Sequence, residues 1–153
     1  MAHRLDDQNI VATPIDASVA DFAARCDAIE EAYEFMLAYA AQGLPNEQGS
    51  ESGSQIRGFL RKCDAALDGL ADVLRRCRPL SDALSPEAAS AAANKYAAFV
   101  RVVERDIEAA QATVQLVLAQ PSIGSELVDN LNASIHLRAI LTDLFLLDDV
   151  LRG

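Results

Sequence analysis

The chain has 153 residues, of which 51% are hydrophobic and 5% aromatic, and its formal net charge is −10. This length is typical of one domain that can bury a core of its own, so we expect a single domain over residues 1–153. Because attraction to phosphate depends on clustered lysine and arginine, the acidity argues against non-specific binding to nucleic acid or to an anionic membrane. No apolar stretch reaches the roughly 18 residues of a membrane-spanning helix.

The three cysteines, Cys26, Cys63 and Cys77, are an odd number without CxxC spacing. This usage is unlike a secreted disulfide framework or a zinc site. Each cysteine takes an apolar helical position, which favours a small buried side chain over a redox or nucleophilic group. Residues 1–9 are polar and lack the apolar core of a signal peptide. We therefore expect a cytoplasmic protein.

The first helix is predicted to begin at Thr13–Asp16, which offers a threonine cap, a proline at the first helical position and an acid in the first turn. The preceding residues 1–12 are expected to form a loosely ordered head. Apolar side chains then recur in steps of three and four at Val19, Phe22, Cys26, Ile29, Tyr33, Met36 and Ala40. The helix ends at Gly43. The next segment, Leu44 to Gly53, is rich in Gly, Ser, Pro and Asn, which predicts a mobile surface loop.

Three further helices follow, each bounded by recognisable start and stop residues. A capping box of Ser52 and Gln55 opens the second helix, and Ser85 followed by Pro86 opens the third. The predicted ranges are 52–77, 85–120, and 122 or 124 to 151. No strand pattern is present. The sequence therefore predicts an all-α protein, an elongated up-down-up-down four-helix bundle, antiparallel, with a flexible loop between helices 1 and 2.

The fourth predicted helix carries two apolar stripes, although a surface helix needs only one. At about 100° per residue, the core stripe comprises Leu127, Ala133, Leu137, Ile140, Leu141, Leu144, Leu147 and Leu151. The outer stripe comprises Val128, Leu131, Ile135, Ala139, Leu146 and Val150. Helix 1 adds Phe35 and Tyr39, which lie four residues apart and away from its own core stripe.

Such a second apolar surface predicts association. We expect a homodimer through helices 1 and 4, with the interface residues Phe35, Tyr39, Val128, Leu131, Ile135 and Leu146. A heterologous helical partner and a stripe buried within the chain itself are the alternatives. No catalytic or nucleotide-binding motif is present, so the predicted function is that of a non-enzymatic assembly or interaction protein acting as adaptor, regulator or chaperone-like partner. A bundle that binds a small ligand is another possibility.

His136 carries a different hypothesis. The segment Ser134 to Leu141 resembles, over about eight residues, the dimerisation and phosphotransfer helix of sensor kinases. This resemblance implies a signalling bundle with His136 as phosphoacceptor. His136 lies one position from that family's phosphorylated histidine, and the proline expected near Ile140 is absent. A phosphoacceptor also needs solvent access and basic neighbours.

The charged clusters are interpreted first as solvated helix faces. The acidic residues Glu30, Glu31, Glu34, Glu104, Asp106 and Glu108 lack the Glu-x-x-His pairs of di-metal bundles. Asp148 and Asp149 lack the loop of a calcium site, so no metal or cofactor is expected. The second helix is locally basic through Arg57, Arg61, Lys62, Arg75, Arg76 and Arg78. Its last arginines lie where the helix dipole favours cations, and a site for an acidic partner is the alternative.

Overall fold

The computed structural model describes residues 14–79 and 84–152, with side chains from residue 17 onwards. It contains six helices: α1 Pro14–Ala41, α2 Glu51–Leu67, α3 Leu70–Arg76, α4 Pro86–Leu118, α5 Ser125–Ala133 and α6 Ile135–Arg152. The prediction of an all-α protein is confirmed, since the described residues include no strand. None of these helices is long and apolar enough to cross a membrane. The predicted head, residues 1–12, lies outside the described residues.

Helices α2 and α4 begin where a serine side chain satisfies a free backbone N–H group. Ser85 caps α4, because its Oγ accepts a hydrogen bond from the Ala88 N–H at 3.2 Å. Ser50 caps α2 in the same way, with 2.9 Å between its Oγ and the Gly53 nitrogen. The predicted cap at Ser52 is therefore wrong by two residues, because the extended backbone that a cap requires occurs at Ser50.

Two of the predicted helices are broken. The second ends at Leu67 and resumes at Leu70, because Gly69 adopts a left-handed conformation with φ of 74°. The Arg25 guanidinium binds the freed carbonyls there, donating to the oxygens of Ala66 and Asp68. The fourth predicted helix is broken at Ser134, whose ψ of 127° is not helical. This second break changes which faces of α5 and α6 point outwards.

The helices pack around one hydrophobic core. Helix α1 packs against α2, α3 and α5, and α4 packs against α2, α3 and α6. Helix α4 buries Val100, Val103, Ile107, Ala110, Val114 and Val117, which recur in steps of three and four. The predicted core stripe of the fourth helix is confirmed over α6, at Leu137, Ile140, Leu141, Leu144, Leu147 and Leu151, but not over α5, where Leu127 is half-buried and Ala133 is exposed. Periodicity therefore placed the buried face of α6 correctly, whereas on the unbroken helix α1 it missed the burial of Tyr39.

The segment after α1 is fixed to the segment after α4. The Leu44 N–H donates to Ser125 Oγ at 2.8 Å, and the Ser125 N–H donates to the Leu44 oxygen at 2.8 Å. Ser125 Oγ also donates to the Tyr39 oxygen, and the Tyr39 hydroxyl donates to the Ile123 oxygen, both at 2.6 Å. These bonds correct the predicted mobile loop over Leu44–Gly53, because its first residue is fixed to Ser125 by two hydrogen bonds and its last three residues belong to α2.

An ion pair completes this attachment. The Arg57 guanidinium binds the Glu47 carboxylate through two hydrogen bonds of 2.8 and 2.7 Å, and it also donates to the Leu118 and Gln120 oxygens at the end of α4. Glu47 accepts a third hydrogen bond from the Ile123 N–H at 3.1 Å. We call the whole set the polar clasp, and it comprises Tyr39, Leu44, Glu47, Arg57, Ile123 and Ser125.

Candidate functional site

Three of the predicted interface residues lie inside the chain. Tyr39, Val128 and Leu131 are buried and belong to the hydrophobic core. They cannot present an apolar surface to a second molecule, and this part of the predicted interface is therefore wrong. The predicted outer stripe assumed one continuous helix from residue 125 to 151. Because the helix is broken at Ser134, α5 does not continue the outward face of α6. This break explains why Val128 and Leu131 on α5 are buried.

Phe35 takes part in packing between α1 and α2. Its ring stacks on that of Phe59, with centroids 4.1 Å apart, and the ammonium group of Lys62 lies 5.2 Å from the Phe59 centroid. Phe35 is half-buried, and it packs against the core together with Phe59. Phe35 was predicted to contact a partner molecule, and it contacts another helix of its own chain.

The other two predicted residues are exposed, and both lie on α6. The side chains of Ile135, Phe145 and Leu146 are 75%, 63% and 52% exposed. Phe145 was not predicted, although its helical phase places it beside Leu146. Arg138 and Asp149 are exposed within the same arc of the helix. We call this surface the α6 face, and it comprises Ile135, Arg138, Phe145, Leu146 and Asp149.

The apolar part of the α6 face leads into a groove beside α4. A cavity of about 310 Å³ lies between these helices, and Leu146 and Val150 line its α6 side. Ala92, Tyr96 and Phe99 line its α4 side. Clustered exposed apolar side chains of this kind mark association or binding surfaces in proteins. The most accessible apolar surface of α6 is therefore continuous with a shallow apolar groove.

Two carboxylates meet where α4 packs against α6. Asp143 is half-buried, and its Oδ2 is buried without a hydrogen-bond partner among the described residues. Burial, together with the hydrogen bond and the negative charge of Asp106, raises the pKa of Asp143 from 3.8 to about 7. A proton on Asp143 turns its unpaired oxygen into a donor to Asp106. The pair is therefore expected to hold one proton near neutral pH.

His136, the alternative functional residue, is exposed at the start of α6. Its backbone N–H donates to Ser134 Oγ at 3.3 Å. Solvent access is one property that a phosphoacceptor needs. However, no hydrogen bond or ion pair from the described part of the chain orients its imidazole ring.

The remaining candidates for site chemistry lie apart from one another. Glu30, Glu31, Glu34 and Glu108 are exposed, and the described residues contain no group of three or more potential metal ligands of the His, Cys, Asp and Glu types. All three cysteines are buried, as predicted. Burial raises the pKa of the Cys26 and Cys63 thiols to about 12, so both remain protonated at neutral pH and are poor nucleophiles.

The function of this chain is inferred from the residues described above. No family model, curated protein or solved structure matches the chain. Since an all-α fold by itself hosts many functions, the exposed side chains of α6 are the most informative feature.

Proposed function

We propose that this protein is a non-enzymatic assembly protein that forms a homodimer in the cytoplasm through the α6 face. Its fold in this proposal is an up-down-up-down antiparallel four-helix bundle, in which α2 with α3 and α5 with α6 each replace one helix. The observation that carries the proposal is the exposure of Ile135, Phe145 and Leu146 on one side of one helix. Fully burying such a side chain contributes about 1.5–3 kcal/mol, so several of them can offset part of the cost of association.

The charges on the α6 face favour a second copy of this chain as the partner. Arg138 and Asp149 lie eleven positions apart, about 16 Å along the helix. Neither forms an ion pair with any other described residue of the chain. When α6 lies antiparallel to the α6 of a second copy, with the two-fold axis between Asp143 and Leu144, each Arg138 faces the other copy's Asp149. A two-fold interface requires this self-complementarity.

The apolar part of the α6 face can be tested with matched substitutions. We expect Leu146→Asp to convert a dimer into a folded monomer, because dimerisation would bury the new carboxylate against apolar side chains. Leu37→Asp is the control, since Leu37 is 46% exposed on α1 and takes the same substitution. Sedimentation velocity gives the oligomeric state, and circular dichroism reports folding. A monomeric wild type at about 100 µM would contradict the homodimer.

The charge pairing has a sharper test. Arg138→Asp and Asp149→Arg should each weaken the dimer, because like charges then face each other across the two-fold axis. The double variant restores opposite charges at both positions and should recover much of the lost affinity. Additive weakening in the double variant would show that α6 does not pair in this register.

A further inference from the structure

A second surface, formed by α3 and α4, has a different chemistry. A cavity of about 570 Å³ lies there, and its lining includes Arg75, Arg78, Arg101 and Glu104. This volume lies within the range of small-molecule sites in proteins. In a chain with a formal net charge of −10, three arginines around one cavity are a local reversal of charge.

Only one of these arginines is neutralised by carboxylates. Arg75 binds Asp72 at 2.5 Å and Glu104 at 2.6 Å. The Arg78 guanidinium donates to the backbone oxygens of Arg75 and Cys77 at 2.9 and 3.1 Å, which are neutral acceptors at the end of α3. Within the described ranges, neither Arg78 nor Arg101 pairs with an acidic side chain. Two guanidinium charges at the cavity therefore have no carboxylate partner among the residues that the structure describes.

The wall beside these charges is apolar and well fixed. Val100 is buried, and Tyr96 is held in place because its hydroxyl donates to the Leu74 oxygen at 2.6 Å. Burial also raises the pKa of Tyr96, so this ring stays neutral. Pro79 and Ala97 complete the apolar lining. A ligand here would meet a carbon surface on one side and arginine side chains on another.

We propose that this cavity binds a small organic anion, with its carboxylate or phosphate at Arg78 and Arg101 and its apolar body against Tyr96 and Val100. Arginine is suited to such groups because its planar guanidinium donates paired hydrogen bonds to carboxylate and phosphate oxygens. The site adjoins the groove beside the α6 face, because Tyr96 lines both, but its arginines lie outside that face and it requires no second copy of the chain.

Isothermal titration calorimetry with four probes tests the proposal. Phenyl phosphate and 3-phenylpropionate should both bind, and a tighter phenyl phosphate would identify phosphate as the preferred head group. Inorganic phosphate lacks the apolar body and benzyl alcohol lacks the charge, so each should bind about tenfold more weakly or not at all. Rising salt concentration should weaken binding of both organic anions, because the arginines are partly exposed to solvent.

Substitutions then locate the site. Arg78→Gln and Arg101→Gln should each weaken phenyl phosphate binding about tenfold. Arg61→Gln removes the same charge from the exposed surface of α2, outside the cavity lining, and should leave binding unchanged. The proposal is overturned if neither organic anion binds at about 10 mM, if benzyl alcohol or inorganic phosphate binds as tightly as phenyl phosphate, or if Arg61→Gln weakens binding as much as the other two variants.

Discussion

Two glycines of α2 have opposite surroundings. A Cβ added at Gly53 would lie 2.0 Å from the backbone oxygen of Glu47, whereas a Cβ added at Gly58 would meet no atom within 4 Å. We expect Gly53→Ala to lower the free energy of unfolding by about 1–3 kcal/mol, because the backbone that carries Glu47 must move. Gly58→Ala should raise it by about 0.5–1 kcal/mol, since alanine is the better helix former.

Urea denaturation followed by circular dichroism measures both glycine variants. They share one helix and one substitution, so each serves as the control for the other. A stabilising Gly53→Ala would mean that the segment at Glu47 does not lie against α2 as described.

The Asp106–Asp143 pair predicts a pH dependence of stability. Because the pKa of Asp143 is raised from 3.8 to about 7, the folded protein binds this proton more tightly than the unfolded chain does. Its stabilising effect is present at low pH and is lost as pH rises from about 4 to about 7. We expect Asp143→Asn to remove this loss of stability between about pH 4 and pH 7, because asparagine stays neutral and can donate a hydrogen bond to Asp106.

Urea midpoints measured at a series of pH values test the Asp143 prediction, with the exposed Asp129→Asn as the control. If the loss of stability with rising pH persists unchanged in Asp143→Asn, other groups cause it.

The sequence alone could indicate one of the two carboxylates of this site. Asp143 is three residues after Ile140 and four before Leu147, which places it beside the core stripe. That Asp106 lies opposite depends on how α4 and α6 align, which periodicity within one helix cannot specify.

At the level of helices and loops, the ion pair of the polar clasp should contribute most to joining the two connecting segments. The Glu47 side chain is 13% exposed and accepts hydrogen bonds from Arg57 and Ile123. We expect Glu47→Gln to lower the free energy of unfolding by about 1–3 kcal/mol, because Arg57 loses its charged partner in a partly buried position. Glu51→Gln, at an exposed position in the first turn of α2, should cost much less.

The same ion pair has a pH signature opposite to that of Asp143. Hydrogen bonds from Arg57 hold the pKa of Glu47 below its ordinary value of 4.5. The stabilisation is therefore complete above about pH 4.5 and is lost as pH falls through the lowered pKa. The free energies of unfolding of the wild type and of Glu47→Gln, measured at decreasing pH, should converge at low pH. A constant gap between the two curves would contradict the assigned role of the carboxylate.

The sequence predicted the existence of helices better than their breaks. Core stripes on α1, α4 and α6 follow from local spacing, so periodicity was sufficient for them. The break at Gly69 was missed because one glycine inside an apolar pattern is compatible with a continuous helix. The loop over Leu44–Gly53 was predicted to be mobile from its composition, which gives no information about its tertiary hydrogen bonds with Ser125 and Ile123.

For the whole molecule, homodimerisation predicts a thermal stability that depends on protein concentration. If folded dimers form through the α6 face, the unfolding midpoint should rise with concentration, because mass action favours the associated state. Leu146→Asp should lose this dependence, whereas Leu37→Asp should retain it. Calorimetry over about a hundredfold range of concentration is the measurement. A midpoint independent of concentration in the wild type would contradict dimerisation in that range.

The polar clasp also has a consequence for the lifetime of the folded state. Its hydrogen bonds join residues far apart in the chain: Arg57 and Gln120 are separated by 63 positions, Tyr39 and Ile123 by 84, and Ser125 and Tyr39 by 86. Closing such long loops costs conformational entropy before the bonds can form. Helices that follow one another in the chain meet over much shorter sequence separations. We therefore expect the clasp to form late in folding, so that weakening it accelerates unfolding much more than it slows folding. This end of the molecule would then determine how long a folded copy survives before it opens.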